Sequence, residues 1–344
     1  MAQTKQAIAT NLITGFLGSG KTTAILNLLK QRPAHSNWAV LVNEFGDVGI
    51  DAAMLKDQNI SDGLFIKEVP GGCICCAAGL PLQIALNLLI KKASPERILI
   101  EPTGVGHPKK VLDVLCGEFY KSVLDIKAII CLVEAHKLNN ALYLNNETFM
   151  DQLNIADVVL ANKSDQATEK DLENFYDFFR TYPIAKAHLE HVVSGSFDSK
   201  LLDIEHNIER SVDFPNAHKH VPHSEDKSNL ADYQESSQQA SDPKQQYSWQ
   251  RFENNGQGYY GCGWIFNSAI IFNESDIEDF INSDRFSRVK GIFHTHNGYM
   301  LFNRSEQSVS KQACDHTQDS RVEVIETDYL DWDQVEEQLL QCIE

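Results

Sequence analysis

The chain has 344 residues, 42% of them hydrophobic, which gives length for two domains and the composition of an ordinary globular protein. A formal net charge of −18 argues against nucleic acid or an anionic membrane as partner, since either needs a basic footprint. No run of about 18 apolar residues could span a bilayer, and Met1 to Gln6 lack the apolar core of a secretory signal, so a cytoplasmic protein is expected.

The first strand is expected over Ile8 to Thr14. It leads into Gly15-Phe16-Leu17-Gly18-Ser19-Gly20-Lys21-Thr22, a full match to the phosphate-binding P-loop pattern. A helix follows over Thr22 to Lys30, with Ile25, Leu28 and Leu29 spaced for one face. Gly15, Gly18 and Gly20 let the backbone curl so that its N–H groups face phosphate oxygens beside the positive end of that helix. Lys21 is expected to reach the β- and γ-phosphates, and the Thr22 hydroxyl to sit on Mg²⁺. Ser19 and Thr23 complete the nucleotide-contacting stretch. The competing reading, a chance glycine turn ahead of a helix, is weakened by the strand–loop–helix setting.

Trp38 to Asn43 reads as the next strand. After it, Asn43-Glu44-Phe45-Gly46-Asp47-Val48-Gly49-Ile50-Asp51 occupies the place of a mobile switch, where Glu44, Asp47 or Asp51 would touch Mg²⁺, activate water or complete a metal site. A solvated acidic loop is the bland alternative. Leu64 to Val69 is a short strand, followed by Gly71-Gly72-Cys73-Ile74-Cys75-Cys76. Eight cysteines in a reducing compartment are expected to be thiols or metal ligands. Three of them within four positions suit Zn²⁺ or Cu⁺ and leave a coordination position open, so the metal is held and can be handed on. The alternative is a tight turn whose cysteines pack as small hydrophobes.

A helix is expected over Leu80 to Lys91 and a strand over Arg97 to Glu101, which ends in Glu101-Pro102-Thr103-Gly104. An acid at that strand end would hold Mg²⁺ through water, and the Gly104 N–H would sense the γ-phosphate. Val111 to Cys116 reads as part of a helix, and Ala128 to Val133 and Asp157 to Ala161 as strands. The last of these precedes Asn162-Lys163-Ser164-Asp165, the Asn-Lys-x-Asp pattern of guanine recognition. Guanine presents N1–H and an amine side by side, so the Asp165 carboxylate selects it over adenine, while Asn162 braces the loop and the Lys163 stem lies over the base. GTP is therefore expected rather than ATP. A helix over Glu169 to Phe179 and a strand over His188 to Val193 close this unit.

From about residue 213 to 246 the chain turns polar, with almost no large aliphatic side chain, and reads as a linker carrying His218, His220 and His223. Beyond it, strands are expected over Tyr247 to Glu253, Tyr259 to Asn267, Arg288 to His294, Tyr299 to Asn303 and Arg321 to Glu326. Helices are expected over Ser275 to Ile281 and Trp332 to Cys342. His294 and His296 would share a face on a continued strand, with a surface or packing role favoured over metal. Cys262 reads as a packed strand residue, and Cys116, Cys131, Cys314 and Cys342 as core or incidental. The fold class is thus α/β. A P-loop NTPase doubly wound, mostly parallel sheet spans 1–212, a linker 213–246, and a smaller α+β domain 247–344.

The ordered set of P-loop, Asn-Glu-Phe-Gly-Asp-Val-Gly-Ile-Asp, Gly-Gly-Cys-Ile-Cys-Cys, Glu-Pro-Thr-Gly and Asn-Lys-Ser-Asp resembles the CobW-type metallochaperone GTPases, relatives of the HypB and UreG nickel-insertion GTPases. Arg288-Val289-Lys290-Gly291 before a strand is similar to the family's C-terminal domain, so the resemblance covers nearly the whole chain. It departs from commoner members in reading Glu-Pro-Thr-Gly where many have Glu-Thr-Ser-Gly or Glu-Ser-Ser-Gly. The resemblance implies slow GTP hydrolysis coupled to binding and delivery of a divalent metal, commonly zinc. It maps the P-loop residues onto Lys21 and Thr22, and the metal thiols onto Cys73, Cys75 and Cys76. Glu44 is a candidate further ligand. The C-terminal domain would dock the metal-recipient client protein, and a homodimer is compatible with the sequence. Two other readings stay open: a regulatory GTP-binding module whose thiols sense redox state, and a structural zinc.

Overall fold

The computed structural model describes residues 7–42, 64–68, 80–104, 106–182, 186, 188–209, 249–256, 259–305, 308–314 and 319–344. The chain divides into two compact units. The first is built on seven strands: β1 (Ile8–Thr14), β2 (Trp38–Val42), β3 (Leu64–Glu68), β4 (Arg97–Glu101), β5 (Leu124–Glu134), β6 (Val158–Asn162) and β7 (His188–His191). Their order is β3-β2-β4-β1-β5-β6-β7, and every neighbouring pair is parallel. Continuous burial of β2 and β6 and near-continuous burial of β1 and β4 explain why these strands read as apolar runs rather than as alternating patterns.

Among the described residues six α-helices accompany the sheet: α1 (Lys21–Lys30), α2 (Leu80–Ala93), α3 (Pro108–Leu115), α4 (Ala141–Leu144), α5 (Glu147–Ile155) and α6 (Glu169–Thr181). Local chemistry sets several of their starts. Pro108 stands in the first turn of α3, where its missing N–H costs nothing. Asn146 caps α5 by accepting from the Phe149 N–H, and Thr168 and Asp171 form a reciprocal capping box on α6. The doubly wound parallel sheet expected from the alternation of elements is the architecture observed.

Three elements differ from expectation, one being helix α4, for which the sequence offered no pattern. Strand β5 begins at Leu124, earlier than Ala128, because its first turn of chain carries Asp125 and Lys127 and hides the apolar run. Helix α5 was not legible at all. Its buried residues mix Asp151, Gln152 and Asn154 with Phe149, Leu153 and Ile155, so the apolar pattern is short and interrupted.

The second unit is a six-stranded sheet: β8 (Trp249–Gly256), β9 (Tyr259–Asn267), β10 (Arg288–Thr295), β11 (Gly298–Ser305), β12 (Ser308–Cys314) and β13 (Asp319–Glu326). The order is β12-β11-β10-β13-β9-β8, antiparallel throughout. Its core joins Trp264, Phe266, Val289, Phe293, Phe302, Val322 and Val324 to Ile277 and Ile281 of α7 (Glu274–Asn282), and to Trp332, Val335 and Leu339 of α8 (Trp332–Gln341). Strand β12 escapes a sequence reading because it is a polar edge strand, Ser-Val-Ser-Lys-Gln-Ala-Cys.

Asp157 pins the end of the first unit to the sheet. It is fully buried, and its carboxylate accepts from the Ile129 N–H (2.8 Å), His206 Nδ1 (2.9 Å) and the Asn207 N–H (3.1 Å). Burial by itself pushes this carboxyl up, but the bonds from His206, Ile129 and Asn207 outweigh it and hold it below the usual carboxylate range. Asp157→Ala leaves those donors unmet and is expected to lower stability by about 3 kcal/mol in urea unfolding. Because the folded-state value is depressed, the contribution is complete above the unfolded value of roughly 4 and is lost as pH falls through the folded one. The gap between wild type and variant should therefore be constant from pH 8 to about 5 and shrink in stronger acid. A gap that widens with acid would contradict this account.

Candidate functional site

Four central strands end side by side, and three of their carboxyl ends carry a predicted feature. β1 runs into Gly15, β4 ends at Glu101, β5 at Glu134 and β6 at Asn162. The crevice beyond the carboxyl ends of such strands is where open parallel sheets bind ligands.

The P-loop curls as its glycines require. Gly15, Gly18 and Gly20 take φ of 140°, 76° and 93°. A Cβ on Gly20 would stand 2.4 Å from Asn162 Nδ2, and one on Gly15 would stand 2.3 Å from the Leu132 carbonyl oxygen, so neither position admits a side chain. Lys21 is 7% exposed, and its ammonium donates to the carbonyls of Gly15 (3.0 Å) and Phe16 (3.3 Å), folding back over the loop. The Ser19 hydroxyl is buried and has no hydrogen-bond partner among the described residues. Thr23 is exposed on the first turn of α1.

At the start of α1 the Thr22 hydroxyl donates to Glu101 Oε1 at 2.9 Å, and both residues are buried. A hydroxyl and a carboxylate converging beside a phosphate cradle are the hard oxygen donors that Mg²⁺ takes. The residues present therefore fit that ion. The Thr103 hydroxyl, two residues beyond Glu101, is also buried without a partner among the described residues.

The Asn162 to Asp165 loop is tied to the P-loop through one side chain. Asn162 Nδ2 donates to the Ser19 carbonyl (2.8 Å), and Asn162 Oδ1 accepts from the Gly195 N–H (2.7 Å). Lys163 has φ of 57°, a left-handed conformation that non-glycine residues seldom adopt, and its ammonium lies 3.3 Å from Glu134 Oε2. Asp165 is exposed, and its carboxylate makes no hydrogen bond to described residues.

Two residues of this frame were missed by sequence reasoning. Glu134 is 6% exposed and pairs with Lys137 (2.9 Å) as well as Lys163. Burial pushes its carboxyl up, yet the two lysines prevail and hold it below the usual range. Lys137 in turn lies over the rings of Tyr143 (4.9 Å) and the P-loop residue Phe16 (5.9 Å). The signal for Glu134 was present, an acid closing an apolar strand as Glu101 does. Lys137 carried none.

Cys73, Cys75, Cys76, Glu44, Asp47 and Asp51 lie outside the described residues, as do His218, His220 and His223. Among the described residues no group of three His, Cys, Asp or Glu is placed to hold a metal. Strand β10 ends at Thr295, so His294 and His296 do not share a strand face. His294 stacks on Tyr299 (centroids 4.7 Å apart), and His296 pairs with Glu344. Cys131, Cys262 and Cys342 are buried, and burial pushes the Cys131 thiol up to about 12, which keeps it protonated. No described helix is long and apolar enough to cross a membrane.

A family model described as the CobW/HypB/UreG nucleotide-binding domain matches residues 9–183, from β1 through α6. Zinc chaperone YeiR of Escherichia coli is 39% identical over 334 residues, covering 96% of this chain and 97% of that protein. Zinc chaperone YjiA of Escherichia coli is 33% identical over 174 residues, 47% of this chain and 51% of that one. Zinc chaperone CobW of Sinorhizobium is 29% identical over 184 residues, 46% of this chain and 51% of its own length. With the match reaching over half of the residues and one relative aligned from end to end, the chain belongs to the CobW/HypB/UreG family.

Proposed function

We propose that this protein is a GTP-hydrolysing metallochaperone that binds zinc at Cys73, Cys75 and Cys76 and passes it to a client protein under control of the nucleotide. The observation that carries the nucleotide half is the Asn162 amide, which fixes the base loop and the phosphate loop in one frame at 2.8 and 2.7 Å. Support for the metal half comes from the thiolate chemistry of the Cys-x-Cys-Cys cluster and from relatives named zinc chaperones.

In this reading the P-loop N–H groups and Lys21 bind the β- and γ-phosphates, and Thr22 with Glu101 holds Mg²⁺. That ion, when bound, neutralises charge on the phosphate oxygens. Gly104 contacts the γ-phosphate, and loss of that phosphate relaxes the turn. No basic finger is evident among the described residues, so intrinsic turnover is expected to be slow. Zinc is the cargo. Residues 1–212 form the GTPase, 213–246 the linker, and 247–344 the part that docks the client.

Guanine selectivity gives a direct test. Asp165→Asn replaces a carboxylate that accepts from two guanine donors, and is expected to weaken GTP binding about 100-fold, the worth of one charge-assisted pair. The amide it introduces can donate to a carbonyl at C2, so xanthosine triphosphate should bind the variant better than it binds wild type. Equal affinity of the wild-type chain for GTP and ATP in calorimetry, or an unchanged variant, would overturn the guanine assignment.

A further inference from the structure

Gly104 is the residue whose contact with the γ-phosphate the mechanism needs, and its surroundings are specific. A Cβ there would stand 2.8 Å from the Leu17 backbone nitrogen and 2.9 Å from Leu17 Cδ2, so the turn is seated directly on the P-loop. What holds it there is one face of α5. Gln152 Nε2 donates to the carbonyls of Gly104 (2.9 Å) and Gly106 (3.4 Å). Asp151 Oδ2 lies 3.3 Å from His107 Nδ1, and the Thr148 hydroxyl lies 3.4 Å from His107 Nε2.

Thr148, Asp151 and Gln152 stand at i, i+3 and i+4, one helical face, and grasp the segment 104–107 near both its ends. The same helix touches the phosphate loop from another side. Phe149 meets the Phe16 ring edge-on, centroids 5.9 Å apart. Sensor turn and phosphate loop are thus indexed to a single element.

Gln152 is 1% exposed, and its Oε1 has no hydrogen-bond partner among the described residues. An amide buried with one end unmet is a poor choice for stability, where a methionine of the same length would fill the space. Its donor, not its bulk, is what the turn uses.

We propose that Gln152 is a positioning residue that holds the Gly104 turn against the P-loop, ready for the γ-phosphate, with Asp151 and Thr148 steadying His107 at the far end of the turn. The proposal rests on the reading of Gly104 as the γ-phosphate contact. Preorganising one conformation favours the ligand that needs it, by the fraction of molecules already in place. GTP needs the turn seated. GDP, lacking the γ-phosphate, does not.

The test is Gln152→Met in the full chain, with affinities for GDP and for a non-hydrolysable GTP analogue measured by calorimetry beside the melting temperature without nucleotide. The expected result is unchanged GDP affinity and analogue affinity about tenfold weaker, the worth of a buried bond to a carbonyl. A purely structural side chain would lower melting temperature and shift both nucleotides together, which would overturn the proposal, as would an unchanged ratio. Should Gln152→Met fail to fold, Thr148→Val removes the contact to His107 Nε2 and is expected to lower the same ratio about threefold. An unchanged ratio there overturns the proposal as well. Failure of the wild-type chain to bind guanine nucleotides would instead remove the function on which the inference rests.

Discussion

Lys21→Ala is expected to lower GTP turnover by about 10³-fold or more while leaving the fold intact. The ammonium is 7% exposed and rests on two neutral carbonyls of its own loop, Gly15 at 3.0 Å and Phe16 at 3.3 Å. Charged phosphate oxygens are far better acceptors, so a bound triphosphate draws the same group forward and keeps it there as charge builds on the γ-phosphoryl. Alanine removes the only loop cation between Gly15 and Thr22. Lys21→Arg should not restore the rate, because the planar fork has a different reach and shape from a compact ammonium. Steady-state phosphate release measures the loss, and melting temperature reports the fold. A variant within tenfold of wild type would mean that this loop is not where the phosphates are activated.

The phosphate end of the site was legible because its chemistry is contiguous. Eight residues in a row specify the curl, and the apolar run of β1 before them announces a buried parallel strand. Glu101 and the Asn162 to Asp165 loop were legible for a related reason, since each follows a strand that reads unambiguously. What the sequence hid is everything held by residues distant along the chain. The bond from Asn162 to Ser19 spans 143 positions, and that from Gln152 to Gly104 spans 48. Helix α5 disappears from a hydrophobicity reading because Asp151, Gln152 and Asn154 interrupt its buried apolar residues Phe149, Leu153 and Ile155. The edge strand β12 disappears because an edge favours polar residues. The continued strand on which His294 and His296 would share a face stops at Thr295, where a turn begins.

Zinc affinity is expected to fall by more than about 10³-fold when Cys73, Cys75 and Cys76 are all replaced by serine, because thiolate ligation supplies most of the roughly 10–16 kcal/mol of a tight protein zinc site. The more informative quantity is the difference between nucleotide states. The cluster lies in the chain between loop 43–51 and Glu101, and the proposed mechanism has the γ-phosphate and the metal bias one shared arrangement. Wild-type zinc affinity, read by competition with a chelating dye, should then differ about tenfold between GDP and a non-hydrolysable GTP analogue, within the usual range of coupling between sites. Linkage demands the reciprocal effect: zinc must shift the preference for the two nucleotides by the same factor. Cys75→Ser should abolish both shifts together. Equal zinc affinities in the two states would remove delivery under nucleotide control and leave a GTPase with a static thiol site. Unfolding on chelation regardless of nucleotide would assign the metal to structure. Peroxide sensitivity without zinc affinity would assign the thiols to redox sensing, since exposed thiolates free of metal are what oxidants attack first.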